Sequence, residues 1–106
     1  MKKEVLLTSD AQAFLLSLEL GVQQRFTRCV DTLAEEGFLI APYAEKIEGQ
    51  KNLFAIRITQ GQNVRFFYCY DTGNYIYVLN GYEKKRQKIP HSELNKAITI
   101  KKRLGL

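Results

Sequence analysis

Three short segments rich in β-branched and aromatic residues follow one another in the second half of the chain, and they restrict the possible folds most. They are residues 53–60, 64–71 and 75–82, separated by GQN and TGN, which are typical hairpin turn sequences. Strands joined by such short turns lie side by side and antiparallel. The sequence therefore predicts a three-stranded antiparallel meander.

The first third of the chain has helical rather than strand periodicity. Thr8, Ser9 and Asp10 offer side-chain oxygens that can cap a helix. Apolar residues then recur at helical spacing, first Phe14, Leu15 and Leu18, and then, after a break near Leu20 and Gly21, Val22, Phe26, Cys29, Val30 and Leu33. Gly37 is a natural C-terminal stop. We expect one kinked helix or a helical hairpin over about 9–36.

The ends of the chain complete an α+β prediction. Residues 3–7 are a candidate edge strand, residues 38–52 a connector, and residues 92–104 a last helix with Ser92 as its cap. Leu94, Ala97, Ile98 and Lys101 share one side of that helix. We predict a single domain over 1–106, in which the helical hairpin packs on one face of a twisted antiparallel sheet.

Composition excludes several classes of protein. No apolar run approaches the length of a membrane span, and the opening MKKEVLL is too short for a secretory signal peptide, so a cytoplasmic location is expected. The two cysteines, Cys29 and Cys69, have no metal-binding spacing. We interpret them as small buried apolar residues, with a disulfide or a catalytic thiol as the alternative.

The positive charge of the chain is concentrated at its C-terminal end. Residues 81–106 contain eight Lys or Arg and two Glu, whereas residues 1–80 contain eight Lys or Arg and nine Asp or Glu. A one-ended positive field suits a polyanion or an acidic protein partner, and an ordinary solvated surface is the alternative. The cluster begins directly after the third predicted strand, in GYEKKRQKIP.

Two arginines in the predicted hairpin bear on function. If the loop after the first strand has three or five residues, Arg57 lies opposite Arg65 on the sheet face away from the helices, with Asn80 beside Arg65. An even loop would separate them. Opposed arginines repel, so we expect either a bound anion between them or a carboxylate partner such as Glu45 or Glu48. On this open face Arg65 should contribute little to the core.

The residues GQKNLFAIRITQGQNVRFFYCYD and YIYVLNGYEKKRQKIPHSELNKA together carry a family pattern. The chain resembles the RelE/ParE superfamily of bacterial toxins, in particular its phage-derived HigB-like branch. The C-terminal motif of that branch corresponds to Gly81, Tyr82, Lys84, Lys85, Gln87, Lys88 and Pro90, followed by Glu93 and Ala97. One departure is Phe54 and Ala55, where the family often has Trp and an acidic residue.

This resemblance implies the toxin of a type II toxin-antitoxin system, neutralised by an antitoxin that is commonly a helix-turn-helix protein. It implies a metal-independent endoribonuclease that needs no cofactor and cleaves mRNA, usually on the ribosome, by attack of the ribose 2′-OH on the adjacent phosphate. Arg57 and Arg65 would hold that phosphate, and Lys84 or Lys85 would steady developing charge or transfer a proton.

The remaining motif residues are expected to bind RNA. Gln87 would orient a nucleotide, Arg86 and Lys88 would contact a nucleic-acid backbone, and Tyr82 would either stack on a base or pack in the core. His91 is a further candidate as a catalytic base, with an exposed helix-start residue as the alternative. Two other functions stay open: a toxin of the same fold that acts on a protein such as DNA gyrase, and a non-catalytic nucleic-acid-binding module.

Overall fold

The computed structural model describes residues 2–106, which form three helices and a five-stranded sheet. The elements are, in chain order, β1 (Glu4–Leu7), α1 (Ser9–Leu16), α2 (Leu20–Glu36), β2 (Ala44–Lys46), β3 (Phe54–Ile58), β4 (Val64–Tyr70), β5 (Tyr75–Glu83) and α3 (His91–Arg103). The predicted α+β class is confirmed.

The helix ends agree with the capping signals in the N-terminal third. The Thr8 hydroxyl accepts a hydrogen bond from the Ala11 N–H at 3.2 Å, which caps α1. Gly37 ends α2 at a φ of 82°, the left-handed conformation that glycine adopts without strain. The N-cap of the last helix is Pro90, two residues before the expected Ser92, and the helix begins at His91.

The sheet has the strand order β1-β5-β4-β3-β2. The meander β3-β4-β5 is antiparallel as predicted. Two differences concern the edges: β1 pairs with β5 in parallel, and the expected connector contains β2, which pairs with β3. A parallel pair needs a long connection, and α1, α2 and the strands β2, β3 and β4 intervene between β1 and β5.

Helices cover both faces of the sheet, so the predicted open face is wrong. On one face α1 and α2 pack against Ile56, Phe66, Tyr68 and Val78. On the other face Ala97 and Ile100 of α3 pack with Leu53, Ala55, Phe67, Cys69 and Leu79. Phe67 and Cys69 on β4 are fully buried. A strand that reads VRFFYCY is apolar on both faces, and burial of both sides is its stable arrangement.

The helices are too short or too polar for a membrane. Between residues 2 and 106, no helix has the length and apolar character that a bilayer crossing requires.

Candidate functional site

Arg65 is the central charged residue of the sheet face that α3 partly covers. Only 2% of the residue is exposed. Its Nε lies 3.3 Å from Oε1 of Glu45, an ion-pair distance without hydrogen-bond alignment. Its Nη1 donates to Oδ1 of Asn63 at 2.8 Å and to the Val64 carbonyl at 3.1 Å. The expectation that Arg65 contributes little to the core is therefore wrong.

The ion pair between Glu45 and Arg65 spans three strands. Glu45 on β2 is paired with Ala55 on β3, and β4 lies beyond it. Adjacent strands are about 5 Å apart, so the glutamate side chain must reach across β3. Ala55 is fully buried and has the smallest side chain that could stand there. Its size explains how Glu45, one of the two carboxylates predicted from the sequence, becomes the partner of Arg65.

Arg65 lines a shallow depression of about 300 Å³ that we call the basic depression; its residues are Asn63, Arg65, Lys84, Lys85, Arg86 and Gln87. Four of these six side chains are cationic. Lys85, Arg86 and Gln87 are exposed, and Lys84 is half-buried. The depression therefore combines one buried, hydrogen-bonded guanidinium with a row of more exposed cations and an amide.

Two loops come together to form this depression. Val64 is paired with Glu83 at the end of β5, and the Lys84 N–H donates to the Asn63 carbonyl at 2.7 Å. This antiparallel pairing places the end of the β3–β4 loop beside the segment after β5. Asn63 was not predicted as a site residue. Its position directly before β4 could have indicated it, because the residue before β4 lies beside the segment that follows β5 in an antiparallel pair.

Arg57 is directly opposite Arg65, as predicted, because residues 59–63 form a five-residue loop. The side chain of Arg57, however, does not line the basic depression. Its Nη1 donates to the Pro42 carbonyl at 3.4 Å, and its Nε is buried without a partner. Arg57 instead lines a larger cavity beside α2. Its role in holding a phosphate therefore stays a prediction.

We call that cavity the α2 groove; it has a volume of about 520 Å³ and is lined by residues that include Arg25, Arg28, Cys29, Ile40, Tyr43 and Arg57. The two depressions share the β3–β4 loop, since Thr59 and Gln60 line the α2 groove and Asn63 lines the basic depression. They are neighbours on the molecule.

Tyr82 is a core residue rather than a platform for a base. It is 5% exposed and stacks on Phe67, with ring centroids 5.7 Å apart at 25°. Burial raises the pKa of its phenol, the nearby Arg65 lowers it, and Glu45 and Glu93 raise it. The expectation that Tyr82 stacks on a base is therefore wrong, and the alternative, that it packs in the core, is the one observed. The tyrosine supports the site from beneath, as the cross-strand partner of Arg65.

Asn80 does not lie beside Arg65, which corrects the expected register. Asn80 is opposite Phe67, two positions further along β4. The β4–β5 turn is wider than a two-residue turn, and Leu79 forms a β-bulge between Asn80 and Val78, so each feature shifts the register by one residue. The Asn80 amide donates to the Glu93 carbonyl at 3.2 Å and thereby ties β5 to α3.

The other predicted site residues lie outside the basic depression. Lys88 and His91 are both exposed, and His91 is the first residue of α3, after Pro90. The two cysteines are free and buried on opposite faces of the sheet, in agreement with the apolar interpretation. Among residues 2–106 no group of three or more His, Cys, Asp or Glu side chains is placed to hold a metal ion.

Comparison with known proteins gives both a family and a fold. The sequence model of the family described as Phage derived protein Gp49-like (DUF891) matches residues 13–102. The comparison with curated protein sequences gives no match.

Several solved structures share the fold. A mutant of the E. coli toxin RelE in the free state superimposes with a TM-score of 0.73 at 14% identity, over 93% of this chain and 97% of that one. The archaeal RelE-RelB complex from Pyrococcus horikoshii OT3 gives 0.65 at 24% identity, over 81% and 99%. The intact E. coli RelBE toxin-antitoxin complex gives 0.66 at 15% identity, over 79% and 99%.

Proposed function

The chain belongs to the Phage derived protein Gp49-like family and shares the fold of RelE toxins, and from this we propose that it is a member of the RelE/ParE superfamily, the toxin of a type II toxin-antitoxin system that cleaves mRNA. The observation that carries the proposal is the basic depression, in which the buried Arg65 is joined by Lys84, Lys85 and Arg86. Such a group of buried and exposed cations suits a phosphodiester.

Arg65 is suited to hold the scissile phosphate because its orientation is fixed. Glu45 faces its Nε, and Asn63 and the Val64 carbonyl accept from its Nη1. No hydrogen bond within residues 2–106 uses its Nη2, whose N–H donors are left for a ligand. A donor that needs no reorganisation during the reaction stabilises transition-state charge most effectively.

The reaction forms a bond between the ribose 2′ oxygen and phosphorus and breaks the bond between phosphorus and the 5′ oxygen. A base must accept the 2′ proton, and an acid must donate a proton to the leaving 5′ oxygen. We assign these two transfers to Lys84 and Lys85, without deciding which does which. Arg86 stabilises the crowded phosphate or binds the flanking backbone, and the Gln87 amide orients a nucleotide.

The partners follow from the same proposal. Two of the similar structures are, by their names, complexes of a toxin or RelE protein with a second protein. We propose that a cognate antitoxin, of the helix-turn-helix type, neutralises this chain, and that the RNA substrate is cleaved in the cytoplasm on the ribosome. Lys88, outside the depression, would contact the nucleic-acid backbone beyond the cleaved nucleotide.

Mapping RNA 5′ ends after brief expression tests the proposal. We expect growth arrest together with new mRNA ends, and we expect a Lys84→Met, Lys85→Met double variant to abolish both. Because Arg65 is buried, its variants confuse folding with activity, whereas Lys85 is exposed and Lys84 is only half-buried. Growth arrest with intact mRNA would indicate a protein target. Retention of RNA without new ends would indicate a non-catalytic binding module.

A further inference from the structure

The α2 groove is an apolar cavity with a cationic rim. Its walls include Cys29, Leu39, Ile40, Pro42 and Ile58, and the ring of Tyr43. Ile40 is 65% exposed and Tyr43 54% exposed, so two large apolar side chains of the lining face solvent. Exposed apolar side chains that line a cavity of this size are typical of a surface that a partner covers.

Three guanidinium groups stand at this groove without a carboxylate partner. Among residues 2–106 the ion pairs involve Lys2, Arg65 and Lys96, and none involves Arg25, Arg28 or Arg57. The Arg25 Nε donates to Oε1 of Gln60 at 3.1 Å, which holds this side chain against the β3–β4 loop. The groove thus combines apolar walls with three cations that nothing in the described chain neutralises.

We propose that the α2 groove binds a segment of a partner protein in which apolar side chains are flanked by Asp or Glu. Charge complementarity selects an acidic occupant, because each guanidinium can bind a carboxylate through two hydrogen bonds. Leu39, Ile40, Pro42 and Ile58 make the walls mostly aliphatic, with Tyr43 as the one aromatic ring. Such a lining favours apolar side chains over nucleotides, whose recognition depends on stacking and polar contacts. This inference rests on the proposed function only in identifying that partner as the antitoxin.

The position of the α2 groove would place a bound protein segment beside the basic depression. Arg57 lines the groove and Arg65 lines the basic depression, and the two residues are direct partners across β3 and β4. A protein segment seated in the groove therefore lies next to the proposed RNA site. It would anchor the antitoxin where an adjoining part of the same chain can cover the cations of the depression.

A defined peptide tests this inference directly. The probe is a fluorescent 14-residue peptide with Leu at every third or fourth position and Glu elsewhere, and its two controls carry Ser for Leu or Lys for Glu. We expect saturable binding of the first peptide only, weakened at least tenfold by the double reversal Arg25→Glu, Arg28→Glu. The matched control is Lys102→Glu, Arg103→Glu, which makes the same charge change at the exposed end of α3; it should retain the affinity.

Cys29 supplies a second readout, since it lines the groove whereas Cys69 is fully buried beneath the opposite face. The bound peptide should slow alkylation of Cys29 at least tenfold. Ile40→Asp, a change at an exposed site, should also abolish binding and serves if the arginine reversal fails to fold. Absence of peptide binding, or binding that survives both changes, would overturn the inference.

A binding assay with a single-stranded RNA oligonucleotide tests the other explanation, that the α2 groove binds RNA. If the arginine reversal weakened RNA binding tenfold and the peptide did not compete with the RNA, the groove would be a nucleic-acid surface and the inference would be wrong. Failure of the proposed function is seen separately. A wild-type protein that binds the peptide but leaves mRNA intact would overturn the ribonuclease proposal and leave the groove inference standing.

Discussion

Arg57 and Arg65 are direct cross-strand partners on β3 and β4, yet the two residues line two different depressions of the surface. Like charges in opposed positions destabilise a sheet. Here the protein itself relieves the repulsion, because Arg65 pairs with Glu45 and Arg57 turns to the Pro42 carbonyl. The same divergence places the α2 groove and the basic depression side by side.

Removing the charge of Glu45 should destabilise the fold. Glu45→Gln leaves the buried Arg65 without its counter-charge, and we expect the free energy of unfolding to fall by about 1–2 kcal/mol, less than for a fully buried pair because the Glu45 side chain is 34% exposed. Urea denaturation measures this. Glu48→Gln, an exposed residue, is the control, and equal effects of the two changes would contradict the prediction.

The two lysines of the basic depression should affect activity more than stability. Lys84→Met or Lys85→Met should each reduce the rate of RNA cleavage about a hundredfold, the usual cost of one transition-state contact. Surface changes of this kind alter stability by about 0.5 kcal/mol or less. Single-turnover cleavage assays and thermal melting separate the two quantities. The exposed Lys102→Met should leave both unchanged, and a lysine variant that cleaves at the wild-type rate would remove that residue from the site.

Gly81 should be required for packing rather than for chemistry. A Cβ atom at Gly81 would lie 2.5 Å from Phe14 and 2.9 Å from Phe66, which are ring atoms between α1 and the sheet. Gly81→Ala should therefore lower the free energy of unfolding by about 1–3 kcal/mol through overpacking. Gly73→Ala, whose nearest neighbour would be Asp71 at 3.9 Å, is the matched control. Equal melting temperatures of the two variants would contradict the prediction and show that Phe14 and Phe66 move aside at little cost in stability.

Alkaline pH should weaken the fold partly through Cys69. Burial raises the pKa of this thiol from 9.0 to about 11. The stabilising contribution is complete below pH 9 and is lost as pH rises toward 11, because only the unfolded chain ionises freely there. Between pH 7 and 10.5 this loss amounts to about 2 kcal/mol. Cys69→Ala should therefore lose less stability over that interval than the wild type, as measured by urea denaturation at both pH values; identical losses would refute the assignment.

Local patterns in the sequence were sufficient for most of the secondary structure, with β2 as the exception, and for one half of the site. Alternation of apolar residues and the hairpin turns predicted the meander, whereas the pairing of Arg57 with Arg65 was predicted only on the condition of an odd loop, and the structure supplied the five-residue loop. The run after β5 placed Lys84, Lys85, Arg86 and Gln87 in one segment. These features depend on near neighbours in the chain, where steric and hydrogen-bond preferences act directly.

Only the tertiary structure decided which groups meet across the sheet. The wider β4–β5 turn and the β-bulge at Leu79 together brought Tyr82 rather than Asn80 beside Arg65, and the small Ala55 let Glu45 reach it from β2. The packing of α3 buried the face that had been expected to be open. Strand register and contacts between distant residues depend on how the whole fold packs. A local sequence pattern therefore does not predict which residues far apart in the chain come into contact.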